Sequence, residues 1–243
     1  DSRLNNFTID GSQFNNNFGL GSSAQAGGRT GASAISLDAL EQLQVNVAPF
    51  DIRQSGFTGA GINAVTRSGT NEVEGSVYQT QRDNSSTYVG DNARGTTVTP
   101  SKFDEKVQGF RLGAPLIKNK LFIFGSFEQE LQTQPGSNFV ARRAGSTAGN
   151  QSVATVEQLE SIKSLLKSKF NYDPGAYENW DKENYSQKAN IRLDWNISDK
   201  HKLNIKYNYL RSYADISPSS SGSLSGGRAP SATVLPFQGS LYR

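Results

Sequence analysis

In the second half of the chain, apolar and polar side chains alternate with a period of two. Ala189, Ile191, Leu193, Trp195 and Ile197 fall on one parity; Lys188, Asn190, Arg192, Asp194 and Asn196 fall on the other. Beyond Ser198-Asp199-Lys200, Leu203, Ile205, Tyr207 and Tyr209 alternate with Lys202, Asn204, Lys206 and Asn208. Successive side chains of an extended strand point to opposite faces, so each segment predicts a strand with one apolar and one polar face. Two such strands across a short link predict an antiparallel hairpin. An earlier hairpin is predicted around Leu116-Ile117-Lys118-Asn119-Lys120. Its first arm sets Phe110, Leu112 and Ala114 opposite Arg111 and Gly113. Its second arm, Leu121 to about Leu131, leaves two face assignments open: Phe122 and Phe124 lie on one parity, Ile123 and Phe127 on the other. A further strand is predicted from Val73 to about Arg82.

Upstream of Asn71 the texture differs. Phe7-Thr8-Ile9 reads as a short strand running into an Asp10-Gly11 turn. Residues 15–31 show no periodicity. Ser36 is placed to cap a short helix reaching about Leu43, with Leu37, Leu40 and Leu43 on one face. Val45 and Val47 then alternate with polar residues as a strand ending at Pro49. Ile62 to Thr66 predicts another strand, and Ser68-Gly69-Thr70 a turn.

Connection lengths alternate as well. The turns near Asn119 and Asp199 are short, whereas 83–105, 132–183 and 212–239 are long and rich in Ser, Gly and Asn. Short turns at one end and long loops at the other are the pattern of an outer-membrane β-barrel, and a soluble sandwich rarely sorts its loops this way. On that reading Ile191, Leu193, Trp195, Leu203, Ile205 and Tyr207 face lipid. Lys188, Arg192, Lys206 and Asn208 then face inward, where Arg192 is expected to tolerate Ala. The 132–183 loop is expected to hold a helix. Thr155 and Gln158 form a capping box, Val156, Leu159, Ile162 and Leu166 share a face, and Asp173-Pro174-Gly175 stops it.

Composition fits. Hydrophobic residues are only 35% and charged ones 19%, while aromatics stay at 10%. A barrel with a wet interior needs polar inner residues and interfacial aromatics. The longest apolar patch, Leu121-Phe122-Ile123-Phe124, is far short of the roughly 18 residues of a membrane helix, so any crossing must use strands. The absence of cysteine excludes disulfides and thiolate metal sites. The net charge of +3 is spread out, without the basic, aromatic patch of a nucleic-acid protein. Asp1 follows no basic or apolar leader, so an internal starting position is expected. Five strands, and the start of a sixth at Leu241-Tyr242-Arg243, cannot close into a barrel when the smallest membrane barrels need about eight. The barrel is therefore expected to be incomplete in this chain.

Candidate chemistry is sparse. His201 is the only histidine and sits in a predicted turn, with no second His or any Cys to complete a zinc site. The 56–61 glycine run lacks the Lys and helix of a phosphate loop. Glu128 and Glu130 share a strand face, which suits acid–base work but suits a polar lumen more simply. No catalytic residue, metal ligand or cofactor is expected, and the chain is not read as an enzyme.

The sharpest motif is Val47-Ala48-Pro49-Phe50-Asp51-Ile52-Arg53-Gln54-Ser55-Gly56-Phe57-Thr58-Gly59-Ala60-Gly61-Ile62-Asn63-Ala64-Val65-Thr66-Arg67-Ser68-Gly69-Thr70-Asn71. It resembles the end of the plug domain in TonB-dependent outer-membrane receptors, most of all the Oar-like branch common in Bacteroidota. Gly113-Ala114-Pro115-Leu116-Ile117-Lys118-Asn119-Lys120-Leu121-Phe122-Ile123-Phe124 is similar to that family's second-to-third strand hairpin, and Asn6-Phe7-Thr8-Ile9-Asp10-Gly11 to an earlier plug strand. The resemblance implies a mostly β protein. Residues 1–70 would be the C-terminal part of an α+β plug, and 71–243 the first strands, about five, of an antiparallel transmembrane barrel with long extracellular loops. It implies energised uptake of a large or scarce substrate across the bacterial outer membrane, with TonB as partner through an N-terminal segment absent here. Outer-membrane lipid is the surrounding medium, and a surface lipoprotein or another outer-membrane subunit a further partner. Gly56, Gly59, Gly61 and Gly69 are expected to make plug turns. Arg53 and Arg67 are expected to pair with lumen carboxylates such as Glu74, Glu128 or Glu130, because an enclosed charge needs a partner. The main alternative is a non-transporting adhesin or glycan-binding module, which explains the strands but not the loop asymmetry. A passive porin would lack residues 1–70. No residue pattern names the substrate.

Overall fold

The computed structural model describes residues 4–16, 25–47, 59–84, 102–146, 148–216 and 234–241. Arg53, Gly56, Pro49, Tyr242, Arg243 and most of the 83–105 and 212–239 connections lie outside them.

Near the N-terminus a four-stranded sheet runs in the order β2-β1-β4-β3, formed by β1 Asn6–Ile9, β2 Ser12–Gln13, β3 Leu40–Val47 and β4 Ala60–Thr66. Strands β1 and β2 form a hairpin across Asp10-Gly11, with φ 50° and 83°. Both sit in the left-handed region that Asp tolerates and Gly prefers. Strand β1 also runs parallel to β4, Asn6 opposite Gly61 and Ile9 opposite Ala64. Phe7, Ile9, Ala34 and Ala64 form the core, with Phe14, Ile35, Leu40 and Ile62 packed against it.

The helix expected from Ser36 to Leu43 is only one 3-10 turn, Leu37–Ala39, followed at once by β3. Ser36 does cap it, its side chain accepting from the Ala39 N–H. Antiparallel pairing with β4, Val45 opposite Ile62 and Val47 opposite Ala60, draws Leu40 to Leu43 into the strand. Those ladder bonds outweigh the weak helical preference of a short segment. The apolar face expected for the helix never forms, and Leu37 and Leu43 are exposed.

The larger sheet has five strands in the order β11-β10-β7-β6-β5. They are β5 Glu74–Asp83, β6 Asp104–Ile117, β7 Leu121–Pro135, β10 Asp181–Ser198 and β11 His201–Ala214. Every neighbour is the next strand of this sheet along the chain, an up-and-down meander. Residues 118–120 and 199–200 are the tight turns. Asn119, at φ 63°, is held by Asn71, whose Oδ1 accepts the Asn119 N–H at 2.8 Å. His201 is simply the exposed first residue of β11. The sheet is not closed, with β5 and β11 as its edges among the described residues. Among those residues no helix is long and apolar enough to cross a membrane.

The chain divides into two compact units. The first holds residues 1–80, 106–131 and 185–213, and so the N-terminal sheet with the adjoining parts of the five strands. The second gathers 81–105, 132–184 and 214–243, which are the three long connections and their strand ends. The sorting of loops expected from their lengths is thus visible in the fold. The second unit has its own core of Ala141, Leu159, Tyr177 and Leu235. It contains a parallel pair, β8 Val140–Arg142 and β9 Gln151–Thr155, and helix α1 Val156–Phe170. The Thr155–Gln158 capping box forms as expected. The stop comes earlier than the Asp173-Pro174-Gly175 turn: Asn171 caps the helix at φ 49°, its N–H bonding the Lys167 carbonyl at 3.0 Å, an αL cap that ends the helix locally. Glu178 takes the Ala141 N–H at 2.8 Å and pairs with Arg143, which holds its carboxyl below the usual range.

Candidate functional site: a charged seam on the inner wall

In the first unit the period-two alternation becomes two chemically distinct faces. Tyr207 is 59% exposed, Ile205 53% and Ile191 51%, and Val77, Phe110, Leu112, Trp195 and Leu203 are exposed with them. The opposite face turns toward the N-terminal sheet and carries the charges. The ambiguity of β7 is resolved by Phe124, Ser126 and Glu128, which are all buried. Phe127 lies on the other side, its ring 6.1 Å from that of Phe110.

Two carboxylates of the N-terminal segment meet three cations of the wall. Asp10, with a side chain 3% exposed, accepts from the Thr66 N–H at 2.9 Å and the Thr66 hydroxyl at 2.6 Å. Arg192 Nη1 stands 3.7 Å from one of its oxygens and Lys206 Nζ 3.6 Å from the other. Arg192 is held in turn by a two-point contact with Asp194, at 2.8 and 3.1 Å, and donates to the Thr66 carbonyl at 2.9 Å. Asn204 donates to the same Asp194. Nearby, Asp38 pairs with Arg111 Nε at 3.1 Å and accepts from Ser76. The strand alternation puts Arg192 and Lys206 on one wall, and the Asp10-Gly11 turn delivers the carboxylate to them. Arg192 faces inward as expected, but it is a clamped ion-pair partner there and not a residue free to be replaced by Ala.

The expected polarity of the contact is therefore reversed. Arg67 pairs with Glu41 of β3 at 3.3 Å, not with Glu74, Glu128 or Glu130. Glu74 only lines the same cleft of about 400 Å³ as Arg67, Arg111 and Arg192. Glu128 and Glu130 are both engaged by Lys188, at 2.7 and 3.5 Å, in a buried cluster that also takes the Tyr78 hydroxyl at 2.6 Å. Tyr78 reaches Glu128 across Gly109, where an added Cβ would lie 2.6 Å from the Tyr78 oxygen. Lys188 stood out in the sequence as an inward residue, and its parity with Glu128 on a neighbouring strand was the signal for the pair. Asp10 and Asp38 carried no such signal, because each lies in a turn.

The described glycines act by closeness more than by turning. At Gly69 an added Cβ would lie 2.5 Å from the Ile123 carbonyl and 2.9 Å from that of Ala114, so the chain leaving β4 runs hard against the backbones of β6 and β7. Gly59 lies against Asn5 and donates its N–H to the Leu4 carbonyl at 3.2 Å. Gly61 sits within β4, opposite Asn6 and Asn46. Among the described residues no group of His, Cys, Asp or Glu is arranged to hold a metal ion.

An open antiparallel meander with an apolar outer face, a charged inner face and loops sorted by length defines a segment of a membrane β-barrel. Residues 65–235 match the outer membrane beta barrel domain family, and the chain belongs to it; its place is the bacterial outer membrane. Over 100 residues it is 32% identical to the TonB-dependent transporter Oar of Myxococcus xanthus, a match covering 40% of this chain and 9% of that protein. The fold is similar to that of the siderophore receptor PirA from Acinetobacter baumannii, at TM-score 0.54 and 18% identity over 90% of this chain and 25% of that one. It is equally similar to the outer membrane transporter YddB from Escherichia coli, at TM-score 0.54 and 15% identity over 90% and 26%. The chain thus spans about a tenth of the Oar sequence and a quarter of each solved chain.

Proposed function

We propose that this chain is part of a TonB-dependent outer-membrane transporter. Residues 1–70 supply the C-terminal part of its plug, and 71–243 its first barrel strands. The observation that supports this best is the charged seam. A small sheet is docked on the inner wall through ion pairs of Asp10 and Asp38 with Arg111, Arg192 and Lys206. Polar contacts suit a body that must seal a wet lumen and still be displaced, since water can take over each group as it parts. The similarity to Oar supports transport over catalysis. The cargo is a large or scarce nutrient, and the energy comes from TonB acting on a segment N-terminal to the plug. Lipid surrounds the outer face, and a surface lipoprotein or other outer-membrane subunit is a candidate partner on the long-loop side.

Conductance tests the reading. The full-length receptor in a planar bilayer is expected to be electrically quiet, and deletion of residues 1–70 to open a large steady channel. Equal conductance from both forms would overturn the plug assignment. Recovery of the protein outside the outer-membrane fraction would overturn the barrel.

A further inference from the structure

The second unit carries a cleft of about 540 Å³ lined by Arg82, Lys102, Phe103, Gln132, Gln134 and Lys182, together with Pro135 and Asn138. Among the described residues no carboxylate is in the lining. Arg82 and Lys102 have acidic partners, Glu105 at 2.8 Å and Asp181 at 2.9 Å. The cations are 65% and 66% exposed against 25% and 37% for the acids, so the positive ends are the ones open to a ligand. The Arg82 guanidinium lies over the Phe103 ring, 5.5 Å from its centroid. Stacking on a ring face leaves the N–H edge of a guanidinium available for in-plane, two-point contact with a carboxylate. Among the described residues the side chains of Lys182, Gln132 and Gln134 have no partner. Gln132 and Gln134 are two apart on β7, so their carboxamides share a face at a spacing of roughly 7 Å.

We propose that this cleft binds an acidic peptide in extended form. A primary carboxamide offers both donors and an acceptor, the complement of a peptide group. Two of them at strand spacing match alternate residues of an extended backbone. Arg82 and Lys182 then take the peptide's carboxylates. A glycan site would need an open aromatic platform, and the Phe103 ring is already covered by Arg82, which favours a peptide over an acidic oligosaccharide. The assignment rests on the transporter reading, with the long connections on the side where substrate arrives.

The test uses the full-length receptor in detergent and a fluorescein-labelled hexapeptide of alternating Glu and Ser. A Lys/Ser hexapeptide and a labelled oligogalacturonate serve as comparisons. The acidic peptide is expected to bind and the Lys/Ser peptide not to. Lys182→Glu, which breaks no native pair, is expected to raise Kd at least tenfold, and Gln132→Ala with Gln134→Ala to raise it several-fold. A heat-dependent gel shift shows that each variant keeps its barrel, and Lys182→Gln is the milder substitute if one does not. Unchanged affinity in the variants, tighter binding of oligogalacturonate, or binding of the basic peptide would overturn the proposal. A receptor that is quiet in the bilayer yet ignores the acidic peptide removes only the ligand assignment. An intact receptor that conducts freely removes the transporter reading beneath it.

Discussion

Asp10→Asn is the most informative single change in the seam. Asn keeps an oxygen for the Thr66 N–H and tolerates the left-handed backbone at φ 50°, so the change removes the charge together with the acceptor of the Thr66 hydroxyl. An ion pair near 4 Å is worth about 4 kcal/mol at an effective dielectric of about 20, before desolvation is subtracted. Stripping one partner from a buried pair costs about 3–5 kcal/mol, because the other charge is stranded. Here Arg192 keeps Asp194 and the Thr66 carbonyl, and the Lys206 side chain is 24% exposed and can reach water. The expected loss is therefore about 2–4 kcal/mol in the docking of the N-terminal sheet. Hydrogen exchange on the full-length protein reads it directly. Amides of β1 and β4 are expected to exchange about 30- to 1000-fold faster, at 1.4 kcal/mol per tenfold, while β6 and β7 stay unchanged. Adding Lys206→Met to Asp10→Asn is expected to restore part of the protection, since the stranded ammonium is gone. Unchanged exchange in β4, or a double variant worse than the sum of the singles, would refute the ion-pair reasoning.

Lys188→Met strands Glu128 in the buried cluster and is expected to cost about 3–5 kcal/mol, seen as a lower denaturant midpoint in detergent; Lys188→Met with Glu128→Leu is expected to recover much of it. Leu193→Arg places a charge on the apolar face and is expected to cost about 2–4 kcal/mol near mid-membrane, read by folding titration into lipid vesicles, where no loss would place that face inside. Gly69→Val forces a side chain into the Ile123 and Ala114 carbonyls and is expected to cost about 1–3 kcal/mol; exchange at the β4 end is the readout, and an unperturbed variant would remove the close-approach argument. Glu178 is held below its unfolded value of about 4.3 by Arg143. Its contribution is therefore present above that pH and lost as pH falls below it, through the folded value. Limited proteolysis of the 132–184 segment is expected to accelerate on acidification in the native protein but not in Glu178→Gln, and equal pH dependence in both would count against the pairing.

The chain's own pattern determined the strands whose two faces meet opposite surroundings. In β10 and β11 lipid selects one parity and the inner wall the other, so Ile191, Arg192, Ile205 and Lys206 announce their sides through periodicity alone. Local chemistry was equally legible. The Asp10-Gly11 turn and the Thr155–Gln158 capping box depend on backbone groups a few residues away, which no distant contact needs to supply. Only the tertiary structure decided matters settled by a distant partner. Residues 37–43 carry a helical spacing, but β4 offers a ladder and turns Leu40 onward into a strand. Phe124 lies on the inner face because Ser126 and Glu128 are drawn there, a choice its aromatic neighbours on both parities left open. The pairing of Arg67 was misread for the same reason: charge says that a partner is needed, and only the fold brings Glu41 to it while Lys188 has already taken Glu128 and Glu130. Asp10 and Asp38 were invisible as anchors because turn residues have no periodicity to mark a face. What makes each an anchor is the arrival of Arg192, Lys206 and Arg111 from strands far along the chain.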